Sequence, residues 1–152
     1  MRIEIRQARD SDEEFARRTH HAAYREVVER QFGPWDETQQ DLFFEAAWEP
    51  DKHDIIVADG QDCGYCVVER RVDDIHVREL VVQPRQQGRG IGTSVLRGLQ
   101  GEAAQRLVPV RLGTFRENHA LRLYARLGFR EIGHTDTHVL MEWRPQGELE
   151  EA

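Results

Sequence analysis

Three glycines stand at alternate positions in QQGRGIGTSVL, residues 86–96: Gly88, Gly90 and Gly92, with Arg89 between the first two. Glycine adopts backbone conformations that other residues resist, and it lets a ligand approach the chain closely. Successive N–H groups at a helix start form an anion-binding concavity, and the helix dipole adds to it. The chemistry predicted is phosphate binding, with Arg89 and the neighbouring Arg85 adding positive charge. Two other phosphate loops do not fit. A P-loop needs a Lys ahead of its Ser or Thr, and Thr93 and Ser94 have none. A dinucleotide fingerprint, G-x-G-x-x-G, meets Thr93 when counted from Gly88 and Val95 when counted from Gly90. Its acidic ribose partner about 20 residues on is also missing.

Other reactive side chains have plainer readings. Cys63 and Cys66 make a C-x-x-C in QDCGYCVVE. That stretch reads as a strand, where an offset of three puts the pair on opposite faces. A redox pair wants a helix N-terminus, and no second C-x-x-C completes a zinc site. His134 and His138 flank a turn without the company a metal site needs, so no metal is expected. Glu37, Asp41, Glu45 and Glu49 recur every four residues, one helical stripe. The stripe reads first as a solvated face and second as a lip for a cationic amine. Trp35, Phe43, Phe44 and Trp48 read as core.

The elements that must position these residues follow from periodicity. RIEIRQA alternates as a first strand. DSDEEFARRTHHAAYREVVERQF is a helix, with a capping box from Ser11 to Glu14 and a buried face at Phe15, Ala22, Val27 and Phe32. GPW at residues 33–35 breaks it, and a second helix starts at Asp36. Residues 53–71 form a hairpin around a Gly-containing turn. DDIHVRELVVQP is a fourth strand, stopped by Pro84. Its consecutive apolar end reads as covered on both faces. After the glycine loop, Ile91, Val95, Leu99 and Ala103 step by four along a helix that also holds Gly98 and Gly101. VPVRLGTF is a fifth strand, ENHALRLYARLGF a short helix ending at Gly128, and REIGHTDTHVLMEW two last strands.

QGRGIG, residues 87–92, fits Q-x-x-G-x-G after a fourth strand, and NHALRLYARLGF, residues 118–129, fits N-x-A-x-x-L-Y-x-x-x-G-F. In these two blocks, in this order, the chain resembles the GNAT superfamily of acetyl-CoA-dependent N-acetyltransferases. The resemblance implies an α/β fold: a mixed, mostly antiparallel sheet of about seven strands flanked by four helices, with splayed parallel fourth and fifth strands. It implies one acyltransferase domain over residues 1–143, with a polar tail at 144–152. Acetyl-CoA is the implied co-substrate. Its pyrophosphate would lie on Gln87, Gly88, Arg89, Gly90, Ile91, Gly92 and Thr93. Its pantetheine arm would pair with Leu80, Val81 and Val82, Asn118 would contact it, and Tyr124 would lie beside its sulfur.

Acetyl transfer to an amine makes three demands. The amine must lose a proton, because an alkylammonium has a pKa near 10. The carbonyl oxygen needs donors as charge develops on it. The departing thiolate needs a proton, which Tyr124, protonated at pH 7, can donate. For the base, strand alternation puts His76 with Arg78, Leu80 and Val82 on one face, and Glu79 with Val77 and Val81 on the other. Glu79 is preferred, His76 is its rival, and a water chain is a third option.

The 152 residues carry a net charge of −7 and a pI near 5.5, which disfavours nucleic acid as a partner. No run approaches the roughly 20 apolar residues of a membrane span, and the N-terminus lacks a signal-peptide core. A cytoplasmic location is expected. The predicted function is acetyl transfer to a primary amine through a direct ternary complex. A small molecule or a peptide could be the acceptor, and a homodimer is open. The alternatives are an acyl-CoA-binding regulatory module without transfer activity, or an acetyltransferase acting on a protein or peptide.

Overall fold

Seven strands and four helices make up the computed structural model, which describes residues 1–146. The strands are β1 (Ile3–Gln7), β2 (Asp54–Ala58), β3 (Gln61–Arg70), β4 (Ile75–Val82), β5 (Val110–Phe115), β6 (Arg130–His134) and β7 (His138–Trp143). The helices are α1 (Glu13–Phe32), α2 (Glu37–Ala47), α3 (Ile91–Arg106) and α4 (Ala120–Arg126). The sheet order is β1-β2-β3-β4-β5-β7-β6. It is the expected α/β architecture, mostly antiparallel with β4 and β5 parallel. The polar tail expected at 144–152 lies, from residue 147 onward, outside the described residues. The chain divides into two compact units, residues 1–67 with 79–92, and residues 68–78 with 93 onward.

In the first unit, β1 and β2 pair antiparallel with Ile5 opposite Ile56. The turn from β2 into β3 uses Asp59 and Gly60, with φ of +50° and +81°. Two left-handed residues are what a tight hairpin turn requires. Cys63 and Cys66 are both buried in β3 and unbridged. The Cys63 thiol donates to the Ile56 carbonyl at 3.4 Å, and burial pushes its pKa up. Ile55, Tyr65, Val81, Ala8, Ala16 and Phe44 form one buried cluster, with Phe15, Ala23, Tyr24 and Trp48 packed against it.

Two expectations for α1 are corrected. No Ser11–Glu14 box forms. Asp12 holds the helix entry instead, accepting from the Arg9 N–H at 2.8 Å and from both terminal nitrogens of Arg6 at 2.8 and 2.9 Å. The Arg6 hydrogen bonds hold its carboxyl down at about 2. The buried positions are Ala16, Thr19, Val27 and Val28, while Ala22 and Phe32 are exposed. Ala22 and Val27 are five residues apart, about 140° around a helix, so one buried stripe cannot hold both. Ala16, Thr19, Ala23 and Val27, spaced three, four and four, can. Gly33 ends α1 at φ +109°. Asp36 caps α2 by accepting from the Gln39 N–H at 3.0 Å.

In the second unit, β4 and β5 pair from Ile75 with Val110 to Val77 with Leu112, and the ladder runs no further. A parallel pair needs a crossover connection, and α3 supplies it. Ile91, Val95, Leu99 and Ala103 are buried as their spacing predicts, together with Leu96 and Gln100. The Gln100 amide donates to the Leu127 carbonyl at 2.9 Å. β7 lies between β5 and β6, antiparallel to both. Buried Asp74 takes two bonds of 2.8 Å from Arg71 and one of 3.3 Å from Arg111, which also binds Glu142 at 2.9 Å.

Candidate functional site

The glycine loop belongs to the first unit. β4 ends at Val82, Pro84–Gln86 makes a single 3-10 turn, and α3 begins at Ile91. Gly88 and Gly90 have φ of +80° and +87°, while Arg89 between them does not enter that region. Positive φ at alternate residues is a feature that anion-binding backbone nests also use. A Cβ at either glycine would meet nothing within 4 Å. The space where a side chain would stand is therefore open, and torsion rather than crowding is what demands glycine. Residues 87–90 are exposed.

Two contacts tie the loop down. The Gln87 amide donates to the Val82 carbonyl at 2.9 Å, and the Gln83 N–H donates to the Cys63 carbonyl at 2.8 Å. Arg89 is not a free charge. It bonds Gln86 and lies 3.8 Å from Asp59. The backbone at Val81 and Val82 passes so close to β3 that a Cβ at Gly64 would sit 2.2 Å from the Val81 carbonyl oxygen. Gly64 is thus required where this strand end lies against β3.

Alternation along β4 holds. Val77 and Val81 are buried and Arg78 is exposed. Glu79 lies in phase with them, and its Oε2 accepts from the Tyr65 hydroxyl at 3.1 Å and the Tyr24 hydroxyl at 3.4 Å. Neither tyrosine was foreseen. They lie 14 and 55 residues from Glu79, and no motif links them to it. Burial, with the Glu79 charge, pushes the Tyr65 phenol well above its ordinary value, so it stays a donor. His76, in the second unit, has a buried Nδ1 without a hydrogen-bond partner. Its pKa is lowered, first by burial and then by Arg71, with a smaller contribution from Arg78 on its own strand.

The second motif block lies wholly in the second unit. Asn118 precedes α4, donates to the Thr114 hydroxyl at 2.8 Å and accepts from the Ala120 N–H at 2.9 Å. Its amide therefore fixes the start of α4. Tyr124 is buried with its ring 5.9 Å from Phe129, and burial pushes its phenol up to about 12. Gly128, at φ +92°, turns the chain from α4 into β6.

The expected helical stripe is shorter than four residues, because α2 ends at Ala47 and Glu49 lies beyond it, and it is not uniformly solvated. Glu37, Glu45 and Glu49 are exposed, but Asp41 is half-buried, 2.7 Å from His21 Nε2 and 3.5 Å from Arg17. His21, Glu37 and Asp41 bring ligand atoms within 4.8 Å of one another. With Arg17 already on Asp41, the arrangement is an ion-pair network. Of the four aromatic residues expected in the core, Phe44 and Trp48 are there, stacked at 5.8 Å. Trp35 is half-buried, edge-on to His21 at 5.1 Å. Phe43 is 59% exposed beside the equally open Leu42, because the face that Phe44 turns inward points Phe43 away.

A family model described as the acetyltransferase (GNAT) domain matches residues 51–131, more than half of the chain. The chain belongs to the GNAT acetyltransferase family. No curated protein matches the sequence. Solved structures share the fold of this GNAT chain at low identity. The PaiA N-acetyltransferase from Thermoplasma acidophilum, in complex with coenzyme A, has a TM-score of 0.76 at 17% identity, covering 95% of this chain and 99% of that one. PH1933 from Pyrococcus horikoshii OT3 has 0.71 at 19%, covering 95% and 99%. The ribosomal-protein-S18-alanine N-acetyltransferase from Escherichia coli has 0.61 at 20%, covering 94% of each. In this GNAT chain, no helix among the described residues is long and apolar enough to cross a membrane.

Proposed function

We propose that this chain transfers an acetyl group from acetyl-CoA to a primary amine through a direct ternary complex. The observation that carries the reading is the loop at Gly88 and Gly90, left-handed at both glycines, with open space where a side chain would stand, and placed at the head of the 16-residue α3. A pyrophosphate suits those backbone donors at residues 87–93. Leu80, Val81 and Val82 offer backbone groups for the pantetheine arm, and Val82 an N–H for the acetyl oxygen. Asn118, whose amide also fixes the start of α4, is the proposed contact to the cofactor from this second block.

When bound, acetyl-CoA supplies a thioester carbonyl open to attack. The amine nitrogen joins the acetyl carbon as the carbon–sulfur bond breaks. Of the two protons an ammonium loses, one ends on the CoA sulfur and one in solvent. Glu79 is the proposed base, with His76 its rival; burial leaves His76 a weaker base than an ordinary imidazole. Tyr124 is the proposed donor to the sulfur. A phenol near 12 does not give its proton outright to a thiolate whose ordinary thiol pKa is about 8.5. It can donate a hydrogen bond as charge builds on the sulfur, which assists departure.

Thiol release from acetyl-CoA against a panel of small amines and peptide N-termini tests this. Turnover with any acceptor supports the reading. CoA binding by calorimetry with no turnover across the panel would mark a binding module, and absence of both removes the reading.

A further inference from the structure

Glu79 is held from two elements of the first unit. Tyr65 of β3 is fully buried, and its hydroxyl donates to Oε2 at 3.1 Å. Tyr24 of α1 reaches the same oxygen at 3.4 Å. Both rings are wedged. Tyr65 meets Phe44 edge-on at 6.5 Å and His53 at 5.7 Å, and Tyr24 meets His20 at 4.8 Å. Val81, two residues beyond Glu79, packs in the same cluster as Tyr65. The phase of the strand is therefore locked, because turning the carboxylate to the other face would pull Val81 out of the core.

We infer that Tyr24 and Tyr65 are positioning residues that aim the Glu79 carboxylate and keep it charged to receive the acceptor's ammonium group. This rests on the acetyl-transfer reading above. Hydrogen bonds donated to a carboxylate favour its charged form, and bonds to a charged acceptor are stronger than neutral ones. The carboxylate then seats the cation and takes one of its protons on the way to solvent, while the other departing proton ends on the CoA sulfur. Beyond the two hydroxyls on Glu79, the titratable rings that pack on these tyrosines include His20 from α1, against Tyr24, and His53 from the segment before β2, against Tyr65. Burial, with the charge of His21, pushes His20 down to about 4, so it is neutral at pH 7. α2 adds the uncharged Phe44, and its Asp41 is held by His21 and Arg17.

The test is titration of the Glu79 carboxyl by carbon-13 NMR in the wild-type chain, Tyr65→Phe and Tyr24→Phe, with Glu79→Gln to assign the signal. Removing a donor removes support for the charged form, so the midpoint must rise. The expected rise is about one pH unit for Tyr65→Phe, and less for the longer Tyr24 bond. The acidic limb of kcat/KM for the acceptor should rise in step, and Glu79→Gln should raise acceptor KM at least tenfold while leaving CoA affinity in place. Tyr24→Phe carries the test if Tyr65→Phe does not fold. An unmoved midpoint in a folded variant overturns the clamp. A moved midpoint with an unmoved limb overturns its part in turnover. A wild-type chain that turns over no acceptor removes the acetyl-transfer reading, and the midpoints still decide the clamp.

Discussion

Between residues 83 and 90 the chain runs largely at the surface, and its shape rests on backbone torsions at Gly88 and Gly90. Between residues 118 and 129 it is pinned by side chains: the Asn118 amide bonded at both ends, Tyr124 buried against Phe129. Both stretches carry the family resemblance, yet they are built by opposite means. A stretch that works through N–H groups is indifferent to most side chains but intolerant of changed torsions. A stretch that works through side chains depends on particular atoms. Mutations should therefore divide by region.

The largest effect is expected at Tyr124. Tyr124→Phe keeps the buried ring and deletes one oxygen. It should lower kcat by about 10²–10³-fold, the usual range for a lost hydrogen-bond donor to charge developing in the transition state, with little change in the KM for acetyl-CoA. Steady-state kinetics under conditions where chemistry limits turnover checks this; an unchanged kcat takes the phenol out of the reaction.

Next comes Gly90. Gly90→Glu adds a carboxylate beside the proposed phosphates and forces a side chain onto a left-handed residue, a conformation that costs about 1–2 kcal/mol. CoA affinity by calorimetry should fall at least a hundredfold. Gly90→Ala separates torsion from charge and should lose less. Arg89→Ala should cost under tenfold, because its charge is already shared with Asp59 and the backbone donors remain. If Arg89→Ala proves the worse variant, the loop binds through its side chain and the contrast between the two regions fails.

Asn118→Ala should destabilise the fold by about 1–2 kcal/mol, the usual range for a lost helix-start bond, read by denaturant unfolding. Loss of CoA affinity beyond what the loss of stability explains would support the proposed contact of Asn118 with the cofactor.

The smallest effects should be gains. Gly98 and Gly101 lie inside α3 with ordinary torsions and open space where a Cβ would stand. Gly98→Ala and Gly101→Ala should each stabilise by about 0.5–1 kcal/mol and leave CoA affinity unchanged. A loss of stability would show that these glycines are required as those of the loop are.

The sequence by itself determined the order of the elements, the α3 stripe and the place of the glycine loop. Each is encoded locally: a step of four residues, a run of alternating apolar side chains, a glycine where φ must be positive. Tertiary structure decided the rest. The inward face of α1 depends on what it packs against, so Ala16, Thr19 and Val27 are buried while Ala22 is not. Phe43 and Phe44 are adjacent and chemically alike, and only the seat of α2 separates the exposed ring from the buried one. Asp12 took the helix entry from Ser11 because Arg6, on a neighbouring strand, reaches it. Glu79 could be read as one of two candidate bases, but its hydroxyl partners come from a helix 55 residues away and a strand 14 residues away. Such contacts depend on the phase and register of packed elements, which side-chain periodicity within one element does not specify.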